Sequence, residues 1–87
     1  HLIARLRGIL VARDFAMVEY DVPQDKLEKA CNLTPGIEAP TVSPLSKAGW
    51  VAVKAMIKRS TANTIIDELY EIGARGIIVT DICTCRL

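Results

Sequence analysis

The chain has 87 residues, 51% of them hydrophobic, with 11 Lys and Arg against 10 Asp and Glu. That length allows one small domain, and so even a charge balance argues against a phosphate-backbone binder, which carries a basic excess or stripe. No apolar run approaches the roughly 18–20 residues of a membrane span, and Arg5, Arg7 and Arg13 interrupt the most hydrophobic stretch. The mean hydropathy of +0.27 is more than one small core readily absorbs, and an interface between subunits is the simplest place for the surplus. Cys31, Cys83 and Cys85 are an odd number without framework spacing. They point to free thiols in a reducing compartment, with the cytoplasm as the default. The chain starts without Met, so a fragment or processed product is expected, with His1 as the remnant of a tag.

In chain order, residues 2–14 place Leu2, Ile3, Leu6, Ile9 and Leu10 at helical spacing, which predicts a helix; an extended course over 8–12 is the alternative. Residues 15–22 change period. Ala16, Val18, Tyr20 and Val22 share one face and Phe15, Met17, Glu19 and Asp21 the other, which predicts a strand ended by Pro23. Asp25 and Glu28 have the spacing of a capping box before a short helix that points Leu27, Ala30 and Cys31 one way. Residues 32–49 hold three of the four prolines and no long periodic pattern. So long a connection contains a short strand around 41–45, or is a functional loop, or both. Residues 50–57 alternate again, with Val51, Val53, Ala55 and Ile57 on one face and Lys54 on the other. Ser60 or Thr61 is placed to cap a helix striped by Ala62, Ile65, Ile66, Leu69 and Ile72, and Gly73 supplies a left-handed stop. Residues 76–82 read as a final strand with Asp81 near its end.

The order is β-α-β-β-α-β behind an extra N-terminal helix. That predicts an α+β fold, a ferredoxin-like sandwich with an antiparallel sheet covered by two helices on one face. Residues 1–87 form a single domain, with 2–14 leading in and 15–82 as the core. The other sheet face is left open, with Phe15, Met17, Trp50 and Met56 on it, and this is the physical reason for expecting self-association.

The fold hosts unrelated functions, so the residues must decide. An RNA-recognition domain of the same order stacks bases on aromatics from its central strands. Here Phe15 is the only Phe and the third strand offers only Trp50 at its edge. Metal-carrying relatives of the fold use paired cysteines after the first strand, where this chain has Asp21, Val22, Pro23 and Gln24. Cys83 and Cys85 are a possible chelate, with reduced structural cysteines the favoured alternative. The single His is the terminal His1, so Ser43, Ser46 and Ser60 have no histidine partner for triad chemistry. Asp21 and Asp81 form a candidate carboxylate pair, against which stand two solvated strand ends. No glycine loop cradles a phosphate, and the arginine-bearing loop of an acylphosphatase-like enzyme is missing. The segment 34–45 is different. Prolines stiffen it, Gly36 permits a turn, and Thr34, Thr41 and Ser43 set small polar groups beside Ile37, Val42 and Leu45. A rigid rim with a few polar groups suits a small polar ligand, and Asp21 is placed to receive an ammonium or imidazolium. A merely structural Pro-rich connection is the alternative.

Several runs carry a family resemblance: Tyr20-Asp-Val-Pro23, Leu33-Thr-Pro-Gly-Ile-Glu-Ala-Pro-Thr-Val-Ser-Pro-Leu45, Gly49-Trp-Val-Ala-Val53, Asp67-Glu-Leu-Tyr-Glu-Ile-Gly-Ala74 and Ile77-Ile-Val-Thr-Asp-Ile82. Together they resemble the C-terminal regulatory domain of long-form ATP phosphoribosyltransferase, over essentially the whole chain. That family catalyses the first step of histidine biosynthesis, a glycosyl transfer joining ATP to phosphoribosyl pyrophosphate, and its ferredoxin-like third domain binds histidine as feedback inhibitor. The resemblance implies a histidine site in which Asp21 is the acidic contact, Ile37 an apolar wall and Thr41 a hydroxyl. Gly76 stands at a position often Ala in the family, where the backbone makes contact, and Ser43 is a further candidate. The Cys-Thr-Cys end departs from the usual segment with His or Arg there. Also implied are an L-histidine partner, a homo-oligomer that is a hexamer in the whole enzyme, and contact with the catalytic domains of the same protein. Neither nucleic acid nor membrane is expected as a partner. The domain alone is expected not to be an enzyme and to hold no cofactor, magnesium belonging with the catalytic domains. Histidine bound between Asp21 and the 34–45 loop, at a contact between neighbouring regulatory domains, would favour a compact inhibited hexamer.

Overall fold

Alternate side chains of the segment after the first helix disappear from solvent one by one, as a strand covered on one face requires. Ala16, Val18, Tyr20 and Val22 are buried, while Phe15, Met17, Glu19 and Asp21 between them stay partly open. In the computed structural model, which describes residues 2–36 and 39–83, the elements are α1 (Leu2–Asp14), β1 (Phe15–Pro23), α2 (Leu27–Leu33), β2 (Thr41–Pro44), β3 (Trp50–Lys58), α3 (Ala62–Glu71) and β4 (Arg75–Asp81). The four strands form one sheet in the order β2-β3-β1-β4, every pair antiparallel. This is the α+β, ferredoxin-like arrangement that the element order predicts. The strand expected around 41–45 forms and gives the Pro-rich connection a place at the sheet edge.

The core lies between the sheet and α2 with α3. Val18, Tyr20 and Val22 of β1 meet Val51, Val53, Ala55 and Ile57 of β3, Ala30 of α2 and Leu69 of α3, with Leu27, Leu33, Ile65, Ile72 and Ile77 around them. Helix α3 ends as Gly73 demands. Gly73 has φ +105°, its N–H donates to Tyr70 O at 3.1 Å, and Ala74 N–H donates to Leu69 O at 2.9 Å. These are the two bonds of a Schellman stop.

Both expected helix caps are replaced. The capping box of Asp25 and Glu28 does not form, because Pro23 takes the extended junction position (φ −57°, ψ 140°) and Asp25 lies inside a 3-10 turn, Gln24–Lys26. The first free N–H, that of Gln24, donates to Gly49 O at 2.8 Å instead. Before α3 a second 3-10 turn, Arg59–Thr61, intervenes, and the Thr61 hydroxyl turns back to donate to Lys58 O at 3.4 Å rather than capping the helix.

The molecule has extents of 45 × 24 × 18 Å, and helix α1 leads into β1 with apolar side chains open to solvent. Ile3, Leu6, Ile9 and Leu10 are all exposed, Ile3 at 71%. Arg13, four residues beyond Ile9 and seven beyond Leu6, falls on the same stripe, so the helix is not cleanly two-faced. On the open sheet face Phe15, Met17, Trp50 and Met56 are each partly exposed, and Met17 stands directly opposite Met56.

Candidate functional site

The open face can be laid out from the strand register. Residues opposite one another in a ladder point to the same side. One row across the sheet runs Thr41, Lys54, Glu19, Ile78; the next runs Ser43, Ala52, Asp21, Arg75. The rows sit two residues apart on β2, β3 and β1, where both face away from the helices; on β4 Ile78 and Arg75 are three apart, and the Arg75 guanidinium folds over the Tyr70 ring of α3, 4.0 Å from its centroid. Between them they line a cleft of about 470 Å³ bordered by Glu19, Asp21, Thr41, Ser43, Ala52, Lys54, Gly76 and Ile78. Tyr20 and Val53 also border it, through their main chain, since both side chains are buried on the opposite face.

Small residues create the depression. Ala52 and Ser43 stand beside Asp21 in its row, and Gly76 follows on β4, whereas Lys54, Glu19 and Ile78 raise the neighbouring row. Gly76 also sits where the β1–β4 register slips: Glu19 pairs with Ile78 and Asp21 with Arg75, so β4 carries one extra residue. A bulge with glycine in left-handed conformation fits this slip, and Gly76 has φ +62°. A methyl group at Gly76 would stand 3.7 Å from Asp21 Oδ2, so the glycine lies directly beside the carboxylate.

The cleft mixes polar and apolar surface and carries one negative charge in excess, two carboxylates against one ammonium. Glu19 is paired with Lys54, Nζ to Oε1 3.3 Å. Among the described residues the Asp21 carboxylate enters no ion pair. A low pocket with hydroxyls of Thr41 and Ser43 on one wall and a carboxylate on the floor suits a small polar ligand bearing a cationic or N–H-rich group.

Of the residues singled out from sequence, Asp21, Thr41, Ser43 and Gly76 are thus brought together, and Ile37 lies outside the described residues. Thr34 is not at the rim. It is fully buried, and its hydroxyl lies 2.6 Å from that of Tyr20, so this polar group of the Pro-rich segment serves the core. Asp81 does not pair with Asp21: it stands opposite Ala16 at the other end of β1 and accepts from Arg59 Nη1 at 2.6 Å. Glu19, Ala52, Lys54 and Ile78 were not singled out. Alternation places Glu19, Asp21 and Lys54 on open faces, but only the register shows that they share one cleft. Cys31 is half-buried and Cys83 exposed, both as free thiols, and Cys85 lies outside the described residues. Among the described residues no group of three His, Cys, Asp or Glu side chains is placed to hold a metal ion, and no helix is long and apolar enough to cross a membrane.

Residues 12–84 match the family described as HisG, C-terminal domain. The chain is 60% identical over its whole length to an ATP phosphoribosyltransferase of Salinibacter ruber, covering 31% of that protein. It is 57% identical over 99% of its length to the enzyme of the same name from Salinispora tropica, covering 31%, and 56% identical over 98% to that of Streptomyces coelicolor, covering 30%. The chain thus spans about a third of the length of the curated relatives it matches. Matched across nearly all of its sandwich, the chain belongs to the family of C-terminal domains of ATP phosphoribosyltransferases.

Proposed function

We propose that the chain is the histidine-sensing regulatory and oligomerisation domain of an ATP phosphoribosyltransferase, the enzyme that opens histidine biosynthesis, and that it mediates feedback inhibition there. The observation that supports this most is the cleft: Asp21, Thr41, Ser43 and Gly76, from three different strands, border one small, negatively biased depression on the open sheet face. In this reading Asp21 takes the imidazole N–H or ammonium of L-histidine, and Thr41 and Ser43 supply hydroxyls. The family resemblance adds Ile37 to this reading as an apolar contact of the ligand. No chemistry is performed here. Ligand binding acts by favouring one assembly over another, on the usual scale of about 1–3 kcal/mol for coupling between sites.

The exposed stripe of Ile3, Leu6 and Ile9 on α1, together with Met17 and Met56 on the sheet, supports the oligomerisation half of the reading. In the whole protein, neighbouring subunits and the catalytic domains of the same polypeptide cover these surfaces, in a hexamer of the cytoplasm.

The test is thermal unfolding with and without free L-histidine. A hundredfold excess over the dissociation constant should stabilise by about 2.7 kcal/mol, and Asp21→Ala should remove the shift with the fold intact. If millimolar histidine gives no shift while the chain self-associates, it is a structural assembly module. If another amino acid of a panel gives the shift instead, it senses a different metabolite.

A further inference from the structure

One ion pair in the cleft has no part in the reading above. Glu19 and Lys54 face each other in the β1–β3 register, with Lys54 Nζ 3.3 Å from Glu19 Oε1. Both side chains are about half exposed, the setting in which an ion pair adds little to folding stability. Both border the cleft, with Thr41 next to Lys54 across the β2–β3 ladder and Asp21 two residues beyond Glu19 on the same face. Lys54 is the only cationic side chain among the residues bordering the cleft.

A free amino acid presents the same two charges at equally short spacing, an ammonium and a carboxylate on one carbon. Laid head to tail along the Glu19–Lys54 pair, it exchanges one solvent-screened ion pair for two charge-assisted contacts to the ligand. The remaining carboxylate, that of Asp21, is the diagonal neighbour of Lys54 across the ladder, about 7–8 Å away at the main chain. That separation matches an amino acid whose backbone lies on the pair and whose side chain extends towards Asp21.

We propose that the Glu19–Lys54 pair reads the amino-acid backbone of the ligand, Lys54 taking the α-carboxylate and Glu19 the α-ammonium, so that Asp21 is left to read the side chain. The proposal rests on the histidine reading and adds to it the group that selects a complete amino acid over an imidazole or amine without a carboxylate. Glu19 and Lys54 hold each other in the unliganded cleft, which keeps Lys54 aimed across the sheet.

Titration calorimetry of the full chain compares histidine with its amino alcohol, in which a hydroxymethyl group replaces the carboxylate. The wild-type chain should prefer histidine by about tenfold or more, the scale of one charge-assisted contact. Lys54→Met should erase most of that preference by weakening histidine alone, while Lys54→Arg keeps it. Because Lys54 is exposed, the circular dichroism and unfolding midpoint of Lys54→Met should match the wild type, and Lys54→Arg separates loss of charge from loss of fold. An unchanged preference in a folded Lys54→Met chain overturns the proposal and leaves histidine binding standing. Failure of the wild-type chain to bind either compound overturns the histidine reading itself, and this inference with it.

Discussion

The phenolic oxygen of Tyr20 lies 2.6 Å from the hydroxyl of Thr34, and both oxygens reach the carbonyl of Ala30, at 3.3 and 3.1 Å. Two hydroxyl protons serve three contacts, and the shorter distances favour Tyr20 donating to Thr34 and Thr34 donating to Ala30. Tyr20 sits between Glu19 and Asp21 in β1, so alternation sends its ring into the core while their carboxylates go to the cleft. One strand therefore anchors the root of the Pro-rich segment on its inner face and builds the candidate site on its outer face.

Removing either hydroxyl leaves a buried polar partner short of a bond. Tyr20→Phe and Thr34→Val should each destabilise by about 1–3 kcal/mol. The double variant should lose less than the sum, because each single change already breaks the shared bond. Denaturant unfolding of the four proteins of the cycle checks this, and strict additivity would show that the two hydroxyls act independently.

Stability should fall at alkaline pH. Burial pushes the Tyr20 hydroxyl above the usual 10.0, partly offset by its bond to Thr34 and reinforced by the nearby Cys31 thiolate. Burial likewise pushes the Cys31 thiol above its ordinary 9.0. In each case the folded chain keeps a proton that the unfolded chain has released, so the unfolded state binds fewer protons and stability declines as pH rises. The contribution is intact below about 9 for the thiol and about 10 for the phenol, and is lost as pH climbs through the higher native values. Unfolding midpoints measured from neutral pH upwards should drop, with a shallower alkaline limb in Tyr20→Phe. The same burial should make Cys31 react with iodoacetamide more slowly than exposed Cys83, as read by mass mapping.

The period-two runs of β1 and β3 placed every core residue of those strands from sequence, because one covered face leaves no other pattern. Gly73 announced its helix stop for an equally local reason, the positive φ that a Schellman turn demands. What stayed hidden depends on pairing. Nothing local says that Glu19 stands opposite Lys54, since that needs the register of two strands about thirty residues apart in the chain. Gly76 looked like the start of a strand, and its bulge exists only relative to Asp21 and Glu19. Thr34 looked like a ligand-facing hydroxyl because the segment is polar and proline-rich, yet the Tyr20 phenol needed a buried partner. The helix starts misled because a cap-forming side chain is only a candidate until the chain chooses between an α and a 3-10 first turn.

Gly76→Ala tests the bulge. The left-handed φ of +62° costs an L-residue about 1–2 kcal/mol. The added methyl group itself meets Asp21 Oδ2 only at 3.7 Å, ordinary contact distance. The loss should therefore be one of backbone strain, seen as a lower unfolding midpoint with unchanged denaturant dependence. An unchanged midpoint would mean that β4 re-registers without the bulge at no cost.

Arg59 joins three elements, donating from Nη1 to Asp81 and from Nη2 to Ala12 O at 3.1 Å. Ala12 belongs to the last turn of α1, whose carbonyls have no partner within the helix. Arg59→Ala should cost under about 1 kcal/mol, since the pair is exposed. It should still lower the amide-exchange protection of the start of β1 and the end of β4. Arg59→Lys should behave like the alanine variant, because a point charge cannot span both acceptors.

Ala52 stands opposite Asp21 and borders the cleft, and its methyl group offers a ligand no polar atom. Ala52→Leu adds bulk to a partly open sheet face, where stability should change by no more than about 0.5 kcal/mol. The added bulk enters the cleft between Ser43 and Asp21, where the proposed ligand would lie. Histidine should then no longer raise the unfolding midpoint, although Asp21, Thr41, Ser43 and Lys54 are all retained. A histidine shift of full size in Ala52→Leu would place the ligand elsewhere on the chain. Loss of the shift in this variant and in Asp21→Ala alike would assign it to this cleft by volume and by charge independently.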